Sequence, residues 1–495
     1  MIDFDGTLFT QRRDVGACVQ TGVTYDCIRG TGIVTAPKLP TTCPPASSPA
    51  GIMRDKSLAV LAFGLFLLTT ATLFLRPAEL FIWMADLPIY ELLILSSFGL
   101  AFQSFTGHFR WFMLARQPVT LCVAGVFVAI AISHLQYIYV SGAIDSGTLF
   151  LKTLIYFGLL ITTVNSPSRL KTFLLTVAIC ASTMVTLCVV DYYELYDFQF
   201  IEHLDDMQGI TDEDEIITVK RMRGTGIFQD PNDMAMVICF TGVICSMFLL
   251  DPSAGKLRLL WLLPMIVLAI GLLSTKSRGG LLACGLAGLV LLAVRNGGRV
   301  AFLAGVMAIS VLPLIAGRQA DIDLEEGGTG HERVTLWREG FEELKSSAIL
   351  FGTGQGSYPD IAGLVAHNSY IHSYVELGLF GGTMFFGCFF FIGMQLYRMG
   401  RLPEPVLNDE LVRMRPFICA MVSGWCMSIF SLSRCYVVPT YLLIGTATTY
   451  LNLVWIHTAS GEPLVIWNRL HAIRLAVASG TAFAGLYVFT AIMAR

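Results

Sequence analysis

Charge is what this sequence has least of. Only 14% of its 495 residues are Asp, Glu, Lys or Arg, and 55% are hydrophobic, whereas a soluble globular domain carries about 25% charged residues. A soluble fold could not hide that much apolar side chain, so water-soluble classes are excluded. The net charge of −3 offers no basic footprint to a nucleic-acid partner. Paired cysteines are missing as well. Ten of the thirteen sit singly inside apolar runs, as Cys180, Cys188, Cys284 and Cys388 do. They have neither disulfide nor metal-ligand spacing and read as small core residues. No acidic metal-binding motif stands out: Asp205, Asp206 and the acidic run 212–215 are like charges on one loop, solvated or paired with Arg221 and Arg223. The chemistry is therefore expected to need no metal and no cofactor.

Residues 1–53 are rich in Thr, Pro and Gly and lack the apolar segment of a signal peptide. Their opening, MIDFDGTLF, matches the Asp-x-Asp-Gly-Thr signature of haloacid-dehalogenase-type phosphatases, with Asp3 as nucleophile and Asp5 as general acid. That enzyme needs a preceding strand and a whole α/β domain, and an apolar run begins near residue 58 instead. We expect 1–53 to be a disordered or dispensable extension and 54–495 to be the working domain.

What the sequence has in abundance is apolar runs of about 17–25 residues, each long enough to cross a hydrocarbon core about 30 Å thick as a helix. Continuous runs of this kind mean helices and not barrel strands. The expected fold is an all-α polytopic membrane bundle of about 12–13 transmembrane helices. They fall near residues 58–75, 88–105, 118–140, 148–164, 172–190, 233–250, 258–274, 279–294, 299–316, 367–397, 416–432, 436–456 and 473–493. Alternate connections carry the Lys/Arg excess, from Arg54 and Lys56 through Lys256 and Arg258 to the cluster Arg398, Arg401, Arg413 and Arg415. The positive-inside rule makes those ends cytoplasmic. Two long connections, 191–232 and 317–366, then face the opposite, periplasmic or extracytoplasmic, side. A thirteenth helix would leave the C-terminus on that side too.

Some cations break the rule. Arg221 and Arg223 close the first long loop, and His331, Arg333 and Arg338 lie on the second, where a solvated helix face is the alternative reading. Lys276 and Arg278 occupy a very short outer turn, LLSTKSRGGLL, between two apolar helices. A charge buried there costs about 2.5 to 3.5 kcal/mol on insertion scales, so an anion should face them, either lipid phosphate reached by snorkelling or a functional ligand. A lipid diphosphate suits this place: Arg binds phosphate oxygens in a planar fork, and the amides opening the next helix favour anions. His367, at the start of the helix after the second loop, can accept a proton from an acceptor hydroxyl. His372 lies about 140° round the helix from it and should point elsewhere. GTGQG, at 352–356, has neither the strand nor the Lys of a nucleotide loop and reads as a flexible turn.

The segments RMRGTGIFQDPNDMA, STKSRGG, ERVTLWREGF, LFGTGQGSY and AHNSYIHSYVELGLFGG, in this order and separated by apolar helices, resemble the O-antigen ligase and polymerase superfamily. The resemblance covers about residues 58–456 and is strongest over 220–385. It implies a GT-C-like helical bundle capped by a large periplasmic loop. It also implies metal-independent, inverting transfer of a glycan from an undecaprenyl-diphosphate donor. By motif match the functional residues are Arg221 or Arg223, Arg278 and His367, with Lys276 beside them on the diphosphate and His331, Arg333 and Arg338 as loop or acceptor contacts. The leading expectation is a ligase acting on lipid A-core. A polymerase acting on a glycan acceptor, a protein O-oligosaccharyltransferase and a transporter or flippase are the alternatives. Expected partners are the donor, the acceptor and membrane lipids, with no nucleic acid.

Overall fold

The computed structural model describes residues 56–494 except 81, 85–86, 211–215, 317–328, 346–347 and 403–404. The expected N-terminal extension and the acidic run 212–215 lie outside the described residues. The chain runs as α1 (Lys56–Leu75), the short α2 (Pro77–Leu80), α3 (Ile89–His108), the short α4 (Trp111–Arg116), α5 (Pro118–Leu135), α6 (Val140–Thr163) and α7 (Pro167–Tyr192). An antiparallel hairpin of β1 (Leu204–Ile210) and β2 (Ile216–Arg221) follows, with Leu204 opposite Arg221. It supplies strands that the all-helical expectation lacked. Then come α8 (Pro231–Leu249), a 3-10 segment over Pro252–Trp261, α9 (Leu262–Ser274), α10 (Arg278–Asn296) and α11 (Gly298–Ala316). The chain ends with α12 (Thr329–Leu344), the short α13 (Tyr358–Ala362), α14 (Ser369–Met399), α15 (Asp409–Ser428), α16 (Val438–Ile456) and α17 (Arg469–Met493).

Every apolar run read from the sequence is a helix, and the chain is a multi-pass membrane protein. Ten of the described helices are long and apolar enough to cross a membrane, α9 being counted with its 3-10 lead-in. The other three expected spans depart for visible reasons. α11 offers only the short apolar stretch Gly298–Met307. α15 gives its first two turns to Asp409, Glu410, Arg413 and Arg415. α16 is rich in threonine and buried on nearly all sides against α6 and α15. Its Thr446 and Thr448 hydroxyls each donate 2.7 Å back to the carbonyl four residues earlier, so burial strands neither.

The described spans include one long broken helix. At Gly378, with φ 67° and ψ −171°, α14 leaves helical geometry, and the backbone groups on both sides lose their helical partners. The segment before α13 replaces them. Thr353 and Gly354 donate to the carbonyls of Val375 and Glu376 at 3.0 Å, while Leu379 and Phe380 donate to Ile349 and Leu350 at 2.9 and 3.1 Å. The GTGQG stretch is thus an ordered insert rather than a flexible turn. The reason is that irregular backbone at membrane depth survives only when protein satisfies it. A Cβ at Gly378 would stand 2.4 Å from the Leu350 carbonyl carbon, in a backbone region that is essentially glycine-only and costs about 1–3 kcal/mol for other residues. Gly378→Ala should therefore lower the apparent melting temperature in detergent clearly. A variant that melts with the wild type would show that the insert does not hold the break.

α12 covers one end of the bundle. Its Val334, Trp337 and Phe341 pack with Tyr358, Ile371 and Val375, and Phe341 meets Phe483 and Tyr487 of α17. The end of α17 therefore lies beside α12.

Candidate functional site

Three helices begin at the end covered by α12, and each start is capped by a short polar side chain, as orphan amides require. Asp230 caps α8 by accepting from the Asn232 amide at 2.7 Å. Ser277 caps α10 by accepting from Gly280 at 3.0 Å. Asn368 caps α14 by accepting from Tyr370 and Ile371 at 3.0 and 3.1 Å. Side-chain bonds tie these starts together: the Ser277 hydroxyl donates 2.6 Å to Asn232 Oδ1. Gly280 lets α10 pack against α8, since a Cβ there would sit 2.3 Å from that of Ala235. That glycine serves helix packing.

The two residues just outside these caps, Lys276 and His367, both take left-handed backbone, with φ 52° and 48°. His367 therefore precedes α14 and does not open it. Trp337 of α12 donates 2.6 Å to the Ala366 carbonyl, fixing the approach to His367. Past the histidine, Ser369 donates 2.5 Å to the Leu432 carbonyl and accepts from the Arg434 amide at 2.8 Å. The start of α14 is thus clamped to the turn between α15 and α16.

That turn supplies a residue absent from the sequence-derived site. The Arg434 guanidinium donates in a fork to both carboxylate oxygens of Asp233, through Nε at 2.7 Å and through Nη2. Asp233 is 1% exposed in α8. Arg434 stands in a short turn between two apolar helices just as Lys276 and Arg278 do, so the signal that picked out those two was available for it. Its carboxylate partner lies 201 residues away, which no local pattern shows.

Arg221 and Arg223 separate. Arg221 Nε donates 3.1 Å to the Thr275 carbonyl and the Met222 amide donates 3.0 Å to Ser274, which lays the end of β2 along the turn carrying Lys276 and Arg278. Arg223 turns to Glu202, donating 2.6 Å to its carbonyl. On α12, Arg333 is half-buried and shares the inward face of Trp337, while His331 and Arg338 are exposed on the other face. The structure brings Arg333 to the cluster and leaves His331 and Arg338 facing away, because helical periodicity divides them. Burial depresses the Arg333 guanidinium, and Asp230 and Arg221 act on it in opposite directions.

Burial likewise pushes the His367 imidazole below its ordinary value. Arg333 lowers it further, Asp230 opposes, and Arg434 and His372 add to the lowering. A base in this setting is neutral at working pH and can accept a proton. His372 is buried inside α14 and turns its Nε2 to Glu376 Oε1 at 2.9 Å. Lys276 and Arg278 are exposed at the rim.

Fold and site together define a polytopic α-helical membrane protein whose helix starts and guanidinium groups gather around one histidine, an arrangement suited to an anion and a proton transfer. Residues 263–386 match the O-antigen ligase family, whose ligases and polymerases work on lipid-linked glycans. The match runs from α9 through the first part of α14 and takes in Lys276, Arg278, Arg333 and His367. Arg221, Asp233 and Arg434 lie outside it. No curated protein matches the chain.

Proposed function

We propose that this chain is an inner-membrane glycosyltransferase of the O-antigen ligase type. In this reading it transfers a glycan from undecaprenyl diphosphate to a hydroxyl of lipid A-core, with inversion and without a metal, on the periplasmic face. The observation that carries the proposal is the gathering of Arg333, Arg434 and the starts of α8 and α14 around His367, with Arg221 acting on Arg333. Helix starts and guanidinium forks favour phosphate oxygens. Arg278 and Lys276 stand at the rim of the same turn. As the bond from the anomeric carbon to the diphosphate oxygen breaks, its electron pair leaves with the diphosphate, whose growing charge these cations stabilise. The acceptor oxygen forms the new bond on the opposite face and its proton passes to His367.

The acceptor is tested by the glycolipids of a strain lacking this chain. A ligase predicts lipid A-core without polymer, and polymer accumulating on the polyprenyl carrier. Core capped by a single repeat unit would replace the ligase reading with a polymerase.

A further inference from the structure

The opposite end of the bundle holds a cationic cavity. It has a volume of about 420 Å³ and is lined by Lys171, Asp251, Arg258, Arg295, Glu410 and Arg413. It lies between the last turn of α8, the 3-10 segment, the last turn of α10 and the first turns of α7 and α15. α8 runs 19 residues from the first site to this cavity, about 28 Å at 1.5 Å per residue, so the two are separate.

The charges in the cavity do not balance. Both carboxylates are already engaged by one lysine: Lys171 Nζ stands 2.7 Å from Asp251 and 3.3 Å from Glu410. Partial burial pushes the Asp251 carboxyl up, but hydrogen bonds from Lys171 and Ser253, with the lysine's charge, outweigh it and hold it down at about 2. Arg258, Arg295 and Arg413 are exposed into the same space, which leaves two positive charges in excess over the carboxylates. The floor is apolar, with Met247, Phe248 and Phe417. Along the 3-10 segment that carries Arg258 and into α9, Leu257, Leu260 and Leu263 are 72%, 70% and 71% exposed, as side chains that meet lipid would be.

We propose that this cavity binds the phosphate headgroup of an anionic membrane phospholipid, with Arg258, Arg295 and Arg413 as its ligands and the apolar floor under the first acyl carbons. Basic pockets between membrane helices take anionic headgroups in this way. The ligand class follows from three guanidinium groups on one space, the two positive charges left in excess over Asp251 and Glu410, and the apolar floor beneath them. This site stands independently of the transfer reaction proposed above.

The test uses the full chain in detergent, titrated with phosphatidylglycerol, phosphatidylcholine or inorganic phosphate and read by native mass spectrometry and thermal unfolding. Phosphatidylglycerol should be retained and raise the melting temperature, and both effects should fade with added salt. The double variant R295Q/R413Q should bind it roughly thirty-fold more weakly, at about five-fold per cation removed, while melting like the wild type in phosphatidylcholine. If the double variant is misfolded, Arg258→Gln, on the exposed 3-10 segment, should weaken binding about five-fold by itself. Equal binding of the two lipids, an unchanged affinity in the folded variants, or inorganic phosphate matching phosphatidylglycerol would each overturn the proposal.

Discussion

His367→Ala should lower glycan transfer by about 10²- to 10⁴-fold, the usual contribution of a positioned general base, while leaving binding of the lipid-diphosphate donor close to wild type. The asymmetry follows from the site. In the proposed reaction the phosphate oxygens fall to guanidinium groups and helix starts, whereas the imidazole is held beyond the α14 cap by Trp337 through Ala366 and by the clamp of Ser369 on Leu432 and Arg434. Its pH behaviour carries a second expectation. Burial first and Arg333 second lower the imidazole, so the neutral, proton-accepting form persists below the ordinary histidine range and the acid limb of kcat/KM should fall there. Arg333→Gln removes one lowering charge, and the limb should move to higher pH. A pH profile unchanged in Arg333→Gln, with activity retained, would separate His367 from the rate-limiting proton transfer.

Arg434→Ala should be the most damaging single change to the fold of the site. It strands the Asp233 carboxylate, 1% exposed, without its forked partner. Removing one member of a fully buried pair costs roughly 3–5 kcal/mol because the remaining charge stays uncompensated, and with the Arg434 side chain 32% exposed the loss falls toward the lower end. The same change withdraws a charge that acts on His367 and loosens the turn holding Ser369. Thermal unfolding should show a large loss, and transfer should fall with it. Arg434→Lys keeps the charge but not the fork and should retain more stability than Ala. The pair of changes Asp233→Asn with Arg434→Gln removes both charges together and should recover part of the lost melting temperature. If Arg434→Ala melts like wild type, the ion pair does not organise this end of the bundle.

The helices were legible because lipid imposes a length and an apolarity that the sequence must show, and the runs at 58–75 and 473–493 became α1 and α17. The site was legible where cations interrupt such runs, as at Lys276 and Arg278. Arg221 could not be told from Arg223 until β2 laid the first along Thr275 and turned the second to Glu202. Arg333 could not be told from His331 and Arg338 until one face of α12 was buried. Asp233 was hidden inside an apolar run, and Arg434 shows its importance only through that distant carboxylate. The break at Gly378 escaped notice because its backbone partners come from residues 349–354, a contact between segments that each look ordinary alone.

The central claim is that this end of the bundle moves a glycan from a polyprenyl diphosphate to an acceptor hydroxyl. It is tested most directly by reconstituting the purified chain in proteoliposomes with undecaprenyl-diphosphate glycan, lipid A-core and EDTA, and counting released undecaprenyl diphosphate against glycosylated acceptor. Wild-type protein should release one for each acceptor modified. Arg278→Lys, which keeps the charge but loses the bidentate fork, should be severely impaired at equal protein level. Wild-type transfer by both Arg278→Lys and His367→Ala would contradict the account.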